Sequence, residues 1–412
     1  MIVLIRFQRL VAAGTLLVTT ASPPASRAAE VWLTPERGRA EATGTRQNPY
    51  PVPTAEAFDQ RLRELPAGTV IHLLPGTYET KGGTTDAGGF QVRSGWQIRG
   101  AGMDRTTVRL TGFVRDQGGA TGVGRVFFNG WGPGVSNVVI ADLTVDANGE
   151  GIVRAAGTPR MTTEAVRLQG RDLLLERVRA VGAVGRRNAP GVNPESFILQ
   201  IGPHSPADRT ASFRILGCEV RDFAGGNCTA ISLFGPDRAD TLSGGLVRSN
   251  RITLGGTGGE FGFAAYGDGV IVEFNQVTGA SRAFNWDTPK NGRRTIIRTN
   301  QFLRCTGYAL CLGGGADGLV EGNLIELAGN GALGVLLSAR NDTFPGASGW
   351  VIRGNTFRAA SGRPGVAAFH RNAVAPGSVF ENNVLEPALE LRARPQDFAR
   401  WRGNRQPDGT RR

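Results

Sequence analysis

The chain has 412 residues, of which 60 are Gly, 40% are hydrophobic and 20% are charged. Glycine at about twice its usual share falls short of the one-third that collagen needs, and the apolar content excludes a disordered polyelectrolyte. The formal charge of +12 invites a nucleic-acid partner, but residues 1–28 carry Arg6, Arg9 and Arg27 with no acid, 391–412 carry seven Arg against Asp397 and Asp408, and the body between is close to balanced; no nucleic-acid partner is expected.

Residues 1–28 read as a signal peptide. Arg6 and Arg9 give a positive start, Leu10 to Thr20 is an apolar run too short to span a bilayer, and Ser26 and Ala28 are small residues at the two positions a signal peptidase reads. The mature protein is therefore expected to be secreted or periplasmic, with no integral membrane segment. Export permits disulfides, so Cys218 with Cys228 and Cys305 with Cys311 are either local bridges or buried thiols. No Cys-x-x-Cys and no His cluster is present, so zinc is not expected.

Thr54 to Leu65 is the one convincing amphipathic helix. Thr54 caps it, Ala55, Phe58, Leu62 and Leu65 share a face, and Pro66 and Gly68 stop it. It is read as an N-terminal capping helix, followed by a buried strand over 70–74.

From residue 247 a short pattern recurs: apolar, two residues, Asn, one residue, apolar. Its Asn positions are 250, 275, 300, 323, 355 and 382, with looser copies at Ile215–Cys218–Val220 and Leu173–Glu176–Val178 and near 138–145. A repeat of about 25 residues with short strands, Gly and Asn corners and no helical period fits a parallel β-helix. Each coil then adds about 4.8 Å, and the Asn side chains stack as a ladder at one corner. The predicted architecture is all-β: one single-stranded right-handed parallel β-helix of about ten coils over 29–390, closed by a basic C-terminal cap or tail over 391–412.

Residues 69–78 (TVIHLLPGTY), 96–104 (WQIRGAGMD) and the Asn-anchored coils resemble the pectin-lyase-like superfamily of right-handed parallel β-helix proteins. That superfamily includes lyases, hydrolases and epimerases acting on acidic polysaccharides, together with adhesins and phage tail proteins, so the resemblance speaks to fold more than to activity. Residues 285–325 look like the active-site coils of the alginate lyase and chondroitinase B family. Lys290 lies about one position from the Lys of that pattern, whereas its Arg position falls on 312–315 (LGGG), which holds no Arg.

The loop that leaves each coil carries most of the reactive side chains. They are His204, Asp237 with Arg238, Tyr266 with Asp268, Asp287 with Lys290, Asp317, Arg340 with Asp342, and His370 with Arg371. In register they make one polar lane suited to an extended polymer. His204 and His370 are six coils, or about 29 Å, apart and cannot share a reaction centre. For β-elimination, Lys290, Asp287, Asp268 and Asp237 are the catalytic candidates. Arg238, Tyr266, Trp286, Arg340 and His204 are the substrate-binding ones, and Asp237, Asp268 and Asp287 are potential Ca²⁺ ligands. For hydrolysis, two Asp one or two coils apart would flank the bond. The expected partner is an acidic polysaccharide and the expected state a monomer. A non-catalytic binding or cell-surface role is the alternative, and a glycoside hydrolase with paired Asp the third. Gly329 to Gly334 spells a dinucleotide fingerprint, but inside a β repeat it reads as a turn.

Overall fold

A strand as short as Leu246–Arg248, with only Val247 pointing inward, buries too little to persist alone. The chain answers by winding. The computed structural model of the protein describes residues 28–411 apart from 39–40, 83–88, 116–121, 130–133, 158–160, 186–195, 203–208, 226–227, 234–241, 256–260, 266, 287–291, 313, 338–346, 361–366 and 372–376; at 224–225, 265, 286 and 367–371 it describes the backbone. One coil runs through Leu242–Ser243, Leu246–Arg248, Arg251–Thr253 and Phe261–Ala265. Each segment pairs in parallel with its counterparts in the coils before and after, so the strands form columns. We call the columns through Leu246–Arg248, Arg251–Thr253, Phe261–Ala265 and Leu242–Ser243 columns 1, 2, 3 and 4. The fold is a right-handed parallel β-helix.

Column 1 stacks thirteen rungs among the described residues, from Glu30–Thr34 to Arg400–Arg402, more than the ten coils expected. The earliest rungs escaped the count because they lack the Asn anchor. At the far end, Arg400–Arg402 pairs with Val379–Glu381 and so adds a rung within the 391–412 segment. There Phe380 packs on Phe398 and Trp401 at ring separations of 5.8 and 4.7 Å.

Inward positions of column 1, such as Ile215, Val247, Val272, Ile297, Val320 and Ile352, have no solvent access. Each is worth roughly 1.5–3 kcal/mol of apolar burial. The outward position of the same strands carries a charge ladder: Arg248, Glu273, Arg298, Glu321, Arg353, Glu381 and Arg402 alternate rung by rung. Glu273 is fully covered by Arg248 and Arg298, the latter at 2.6 Å, and Arg353 reaches Glu321 at 2.7 Å.

Two turns bound column 1, and each needs a left-handed residue. The turn into it uses Gly244, Gly269, Arg294, Asp317, Gly349 and Gly377; the turn out uses Ser249, Phe274, Thr299, Gly322, Gly354, Asn382 and Gly403. The residue after the second turn is the ladder Asn. Asn250, Asn275, Asn300, Asn323, Asn355, Asn383 and Asn404 are all buried. Each Oδ1 from Asn275 on accepts from the backbone N–H and the Nδ2 of the Asn before it, and each Nδ2 also donates to a column 1 carbonyl. The expected anchor Asn382 is thus corrected to Asn383. Asn382 is the left-handed residue at φ 55°, a conformation Asn tolerates, so two adjacent Asn fill two different slots.

The helix expected over 54–65 forms as α1, Ala55–Glu64. Thr54 Oγ1 accepts from Ala57 N–H, and Phe58 packs on Tyr78 of Gly76–Thr80 at 5.4 Å. A second helix, α2 (Gly149–Ala156), buries Ile152 and Ala156; its two Gly weaken the helical signal in the sequence. All four cysteines are buried and none is in a disulfide, so the local-bridge alternative does not hold.

Candidate functional site

Most of the loop candidates lie outside the described residues: Lys290, Asp287, Asp237, Arg238, Tyr266, Arg340 and His204, with Asp342 and residues 1–27 of the leader. For Trp286, His370 and Arg371 the structure gives a strand position in column 3. Asp268 and Asp317 are described, and neither sits on a column 3 strand. Asp268 bridges Ser243 in column 4, and its Oδ2 accepts from Arg294 at 2.7 Å. Its Oδ1 is buried and, among the described residues, accepts no hydrogen bond. Among the described residues no group of three or more His, Cys, Asp or Glu is gathered as a metal site requires.

The loops leave from column 3, so its outer face is where a polymer beside them would lie. The inner row of this column is Val166, Leu199, Ile231, Phe263, Phe284, Leu310 and Val335, all without solvent access. The next residue along each strand belongs to an outward row. In register it reads Phe128, Arg167, Gln200, Ser232, Ala264, Asn285, Cys311 and Leu336. Cys311 and Leu336 form an apolar cluster with Leu333 and Tyr308 separate from the core, which fixes the row as external.

The polar members of this row are sealed from solvent and incompletely bonded. Gln200, Ser232 and Asn285 are 1%, 0% and 6% exposed. Among the described residues, Gln200 Oε1, Ser232 Oγ and Asn285 Oδ1 have no hydrogen-bond partner. Leaving such an atom unpaired costs about 1–3 kcal/mol, so three in one row are a feature in need of an explanation. At the N-terminal end of the row Arg125 Nε donates to Glu164 at 2.5 Å, and Arg167 lies 3.8 Å from the same carboxylate. Burial pushes the Arg167 guanidinium below its ordinary pKa, against the pull of Glu164.

A parallel outward row lies three residues earlier on each strand: Phe197, Thr229, Phe261, Arg282 and Tyr308. The Arg282 guanidinium sits 4.9 Å from the Phe261 ring centre and 5.6 Å from that of Tyr308. The face therefore combines half-exposed rings, a cation held between them, and a line of buried amide and hydroxyl acceptors. Rings stack on the apolar faces of sugars, acceptors take sugar hydroxyls, and a guanidinium takes a carboxylate. Sequence reasoning missed these residues because each is an ordinary strand residue. The available signal was positional: all occupy one register in the strand before the loop.

No family model and no curated protein sequence matches the chain. Among solved structures it is similar to the GH136 lacto-N-biosidase of Eubacterium ramulus, with 11% identity, a TM-score of 0.51, and coverage of 92% of this chain and 66% of that one. It is also similar to an alginate lyase from Paenibacillus sp. str. FPU-7 (12% identity, TM-score 0.48, covering 88% and 98%). A third is the mannuronan C-5 epimerase AlgE6 A-module of Azotobacter vinelandii (16% identity, TM-score 0.45, covering 87% and 93%). At such identities the first likeness speaks to the fold. Among the described residues no helix is long and apolar enough to cross a membrane.

Proposed function

We propose that the protein binds an acidic polysaccharide along the outer face of column 3 and cleaves it by β-elimination. The observation that carries the binding half is the line of unpartnered buried atoms on Gln200, Ser232 and Asn285, flanked by Phe261, Arg282 and Tyr308. Successive rungs lie about 4.8 Å apart, the same scale as one sugar residue, so a chain laid across the rungs would meet the acceptors of Gln200 and Ser232 on adjacent rungs and that of Asn285 two rungs further on, past Ala264. In the elimination, a base removes the proton at C5 of a uronate, the C4–C5 double bond forms, the C4–oxygen bond to the leaving sugar breaks, and the leaving oxygen takes up a proton from solvent. Lys290 is the base in this reading, and Arg282 neutralises the carboxylate that acidifies C5. Asp268, paired with Arg294, has no part in it. Asp237 and Asp287 are the remaining candidates for Ca²⁺, and no step is assigned to the ion.

Non-catalytic binding is the second reading. It is favoured by the fact that Glu164, the acid described on this face, is held by Arg125 rather than set for chemistry. The test incubates the full chain with pectate, alginate and glycosaminoglycans, with Ca²⁺ or EDTA, and follows ultraviolet absorbance of the unsaturated product. Absorbance on one polymer, lost in Lys290→Ala and lowered in Arg282→Leu, supports elimination. Silence on every polymer, with binding that Asn285→Leu weakens, supports the binding protein. Neither product nor binding overturns both.

A further inference from the structure

Column 1 turns a different surface to solvent, and one residue there lacks a rationale within the chain. Phe274 is the one large apolar side chain described as well exposed, at 54%, and it holds a left-handed φ of 56° that a bulky residue rarely adopts. Beside it the outward side of column 1 carries a stripe of Leu246, Ile271, Ile296, Leu319, Val351 and Val379, the first five half-buried, which ends on Arg214 and Arg400. A groove of 490 Å³ opens over the start of the stripe, between Arg214 and Ile271.

We propose that this face is a homodimer interface, in which two copies pack with their helix axes antiparallel. The two-fold axis runs parallel to the strands, between the rungs of Arg298 and Glu321. Such a rotation keeps strand direction and reverses rung order, so every row lies on its own image. In the stripe, Ile296 of one copy then meets Leu319 of the other, Ile271 meets Val351, and Leu246 meets Val379. In the charge ladder, Arg298 faces Glu321, Glu273 faces Arg353, and Arg248 faces Glu381. In the turn before the strands, Arg294 faces Asp317, while Gly269 faces Gly349 and Gly244 faces Gly377. In the turn after them, Phe274 faces Gly354, a knob opposite a position with no side chain. One axis therefore satisfies four rows at once. An axis along the helix would set stripe against ladder and lose these pairings. The contact ends at these six rungs, because the next pair brings Arg214 against Arg400.

The arrangement departs from the monomer expected from the sequence and is independent of the carbohydrate reading. Sedimentation velocity on the full chain is expected to give twice the chain mass. Phe274→Asp is expected to give a folded monomer that unfolds cooperatively with a melting temperature independent of concentration, since Asp tolerates the left-handed turn. In a second measurement, chains bearing Ile271→Cys are mixed with chains bearing Val351→Cys and treated with a short bismaleimide, because residue 271 and its own image lie three rungs, about 14 Å, apart along the helix; the native thiols are buried. The mixture is expected to crosslink and each variant alone to stay uncrosslinked. A monomer at every concentration, a dimer indifferent to Phe274→Asp, or Ile271→Cys chains linking to themselves would each overturn the proposal.

Discussion

Asn300 and Asn285 are the same side chain, both buried, at 1% and 6% exposure, and their surroundings have opposite logic. At the corner, Asn300 Oδ1 accepts from the N–H and the Nδ2 of Asn275, and its own Nδ2 donates to Val272 O at 2.9 Å and to Asn323 Oδ1 at 3.0 Å. On column 3, Asn285 Oδ1 accepts no hydrogen bond among the described residues. A buried amide whose hydrogen bonds are all made inside the chain serves the fold. One that is buried and left short serves the fold badly, and the deficit points to a group that arrives from outside. The two regions divide stability from function more clearly than any motif in the sequence does.

The comparison breaks first at the corner. Asn300→Leu removes the acceptor of two donors on Asn275 and the donor to Val272 O; Asn275 N–H loses its partner, while Asn275 Nδ2 keeps only its bond to Val247 O. The expected loss is about 3–5 kcal/mol, read from urea unfolding of the full chain. A loss under about 1 kcal/mol would mean that water or a backbone shift repairs the ladder, and the structural role assigned to it would fail.

The outer charge ladder sits between these extremes. Glu273 is fully covered by Arg248 and Arg298, which are themselves about half exposed. Desolvation alone would raise its pKa, but the hydrogen bonds from Arg298 and Arg248 outweigh it and hold the carboxyl below the usual range. A depressed folded pKa gives stability that is present above the unfolded value and lost as pH falls through the folded one. Glu273→Gln is therefore expected to cost about 1–2 kcal/mol at neutral pH, discounted for the exposed arginines. The gap between variant and parent should close under acid conditions. Urea midpoints of both chains at neutral and acid pH check this, and a gap that persists in acid would show packing, not charge, as the cause.

How far the sequence exposes each region follows from the same chemistry. The corner repeats one residue type in every coil because each amide must meet an identical neighbour, so the periodic Asn from 250 to 355 reads directly as a β-helix. The slip came at Asn382, where a left-handed turn and a ladder slot accept the same residue in adjacent positions. Column 3 offers no such period. Gln200, Ser232, Ala264 and Asn285 share a register and differ in kind, since a ligand-facing row need not match itself from rung to rung. The charged loop residues drew attention by type, yet the one placed near column 4, Asp268, proves to be a partner of Arg294.

On column 3, Ser232→Ala and Asn285→Leu remove the orphaned Oγ and Oδ1. Stability should change by less than about 0.5–1 kcal/mol, or rise, while polysaccharide binding falls about tenfold or more. Unfolding curves and binding isotherms of the same preparations separate the two effects. A large stability loss with binding unchanged would place both residues with the corner amides instead.

The smallest effect is expected at sulfur. Burial pushes the Cys218 thiol up to about 12 and raises that of Cys305 as well, and no pair is bridged. A thiol in apolar surroundings is protonated and hidden, so it neither attacks a reagent nor contributes a crosslink to folding. Ellman's reagent should report almost no fast thiol in the native chain and four after denaturation. Reductant should leave the melting temperature where it was. Four fast thiols in the native chain would show that the coils open locally around these positions; fewer than four after denaturation, with a melting temperature that falls in reductant, would show a bridge and a different packing of these coils.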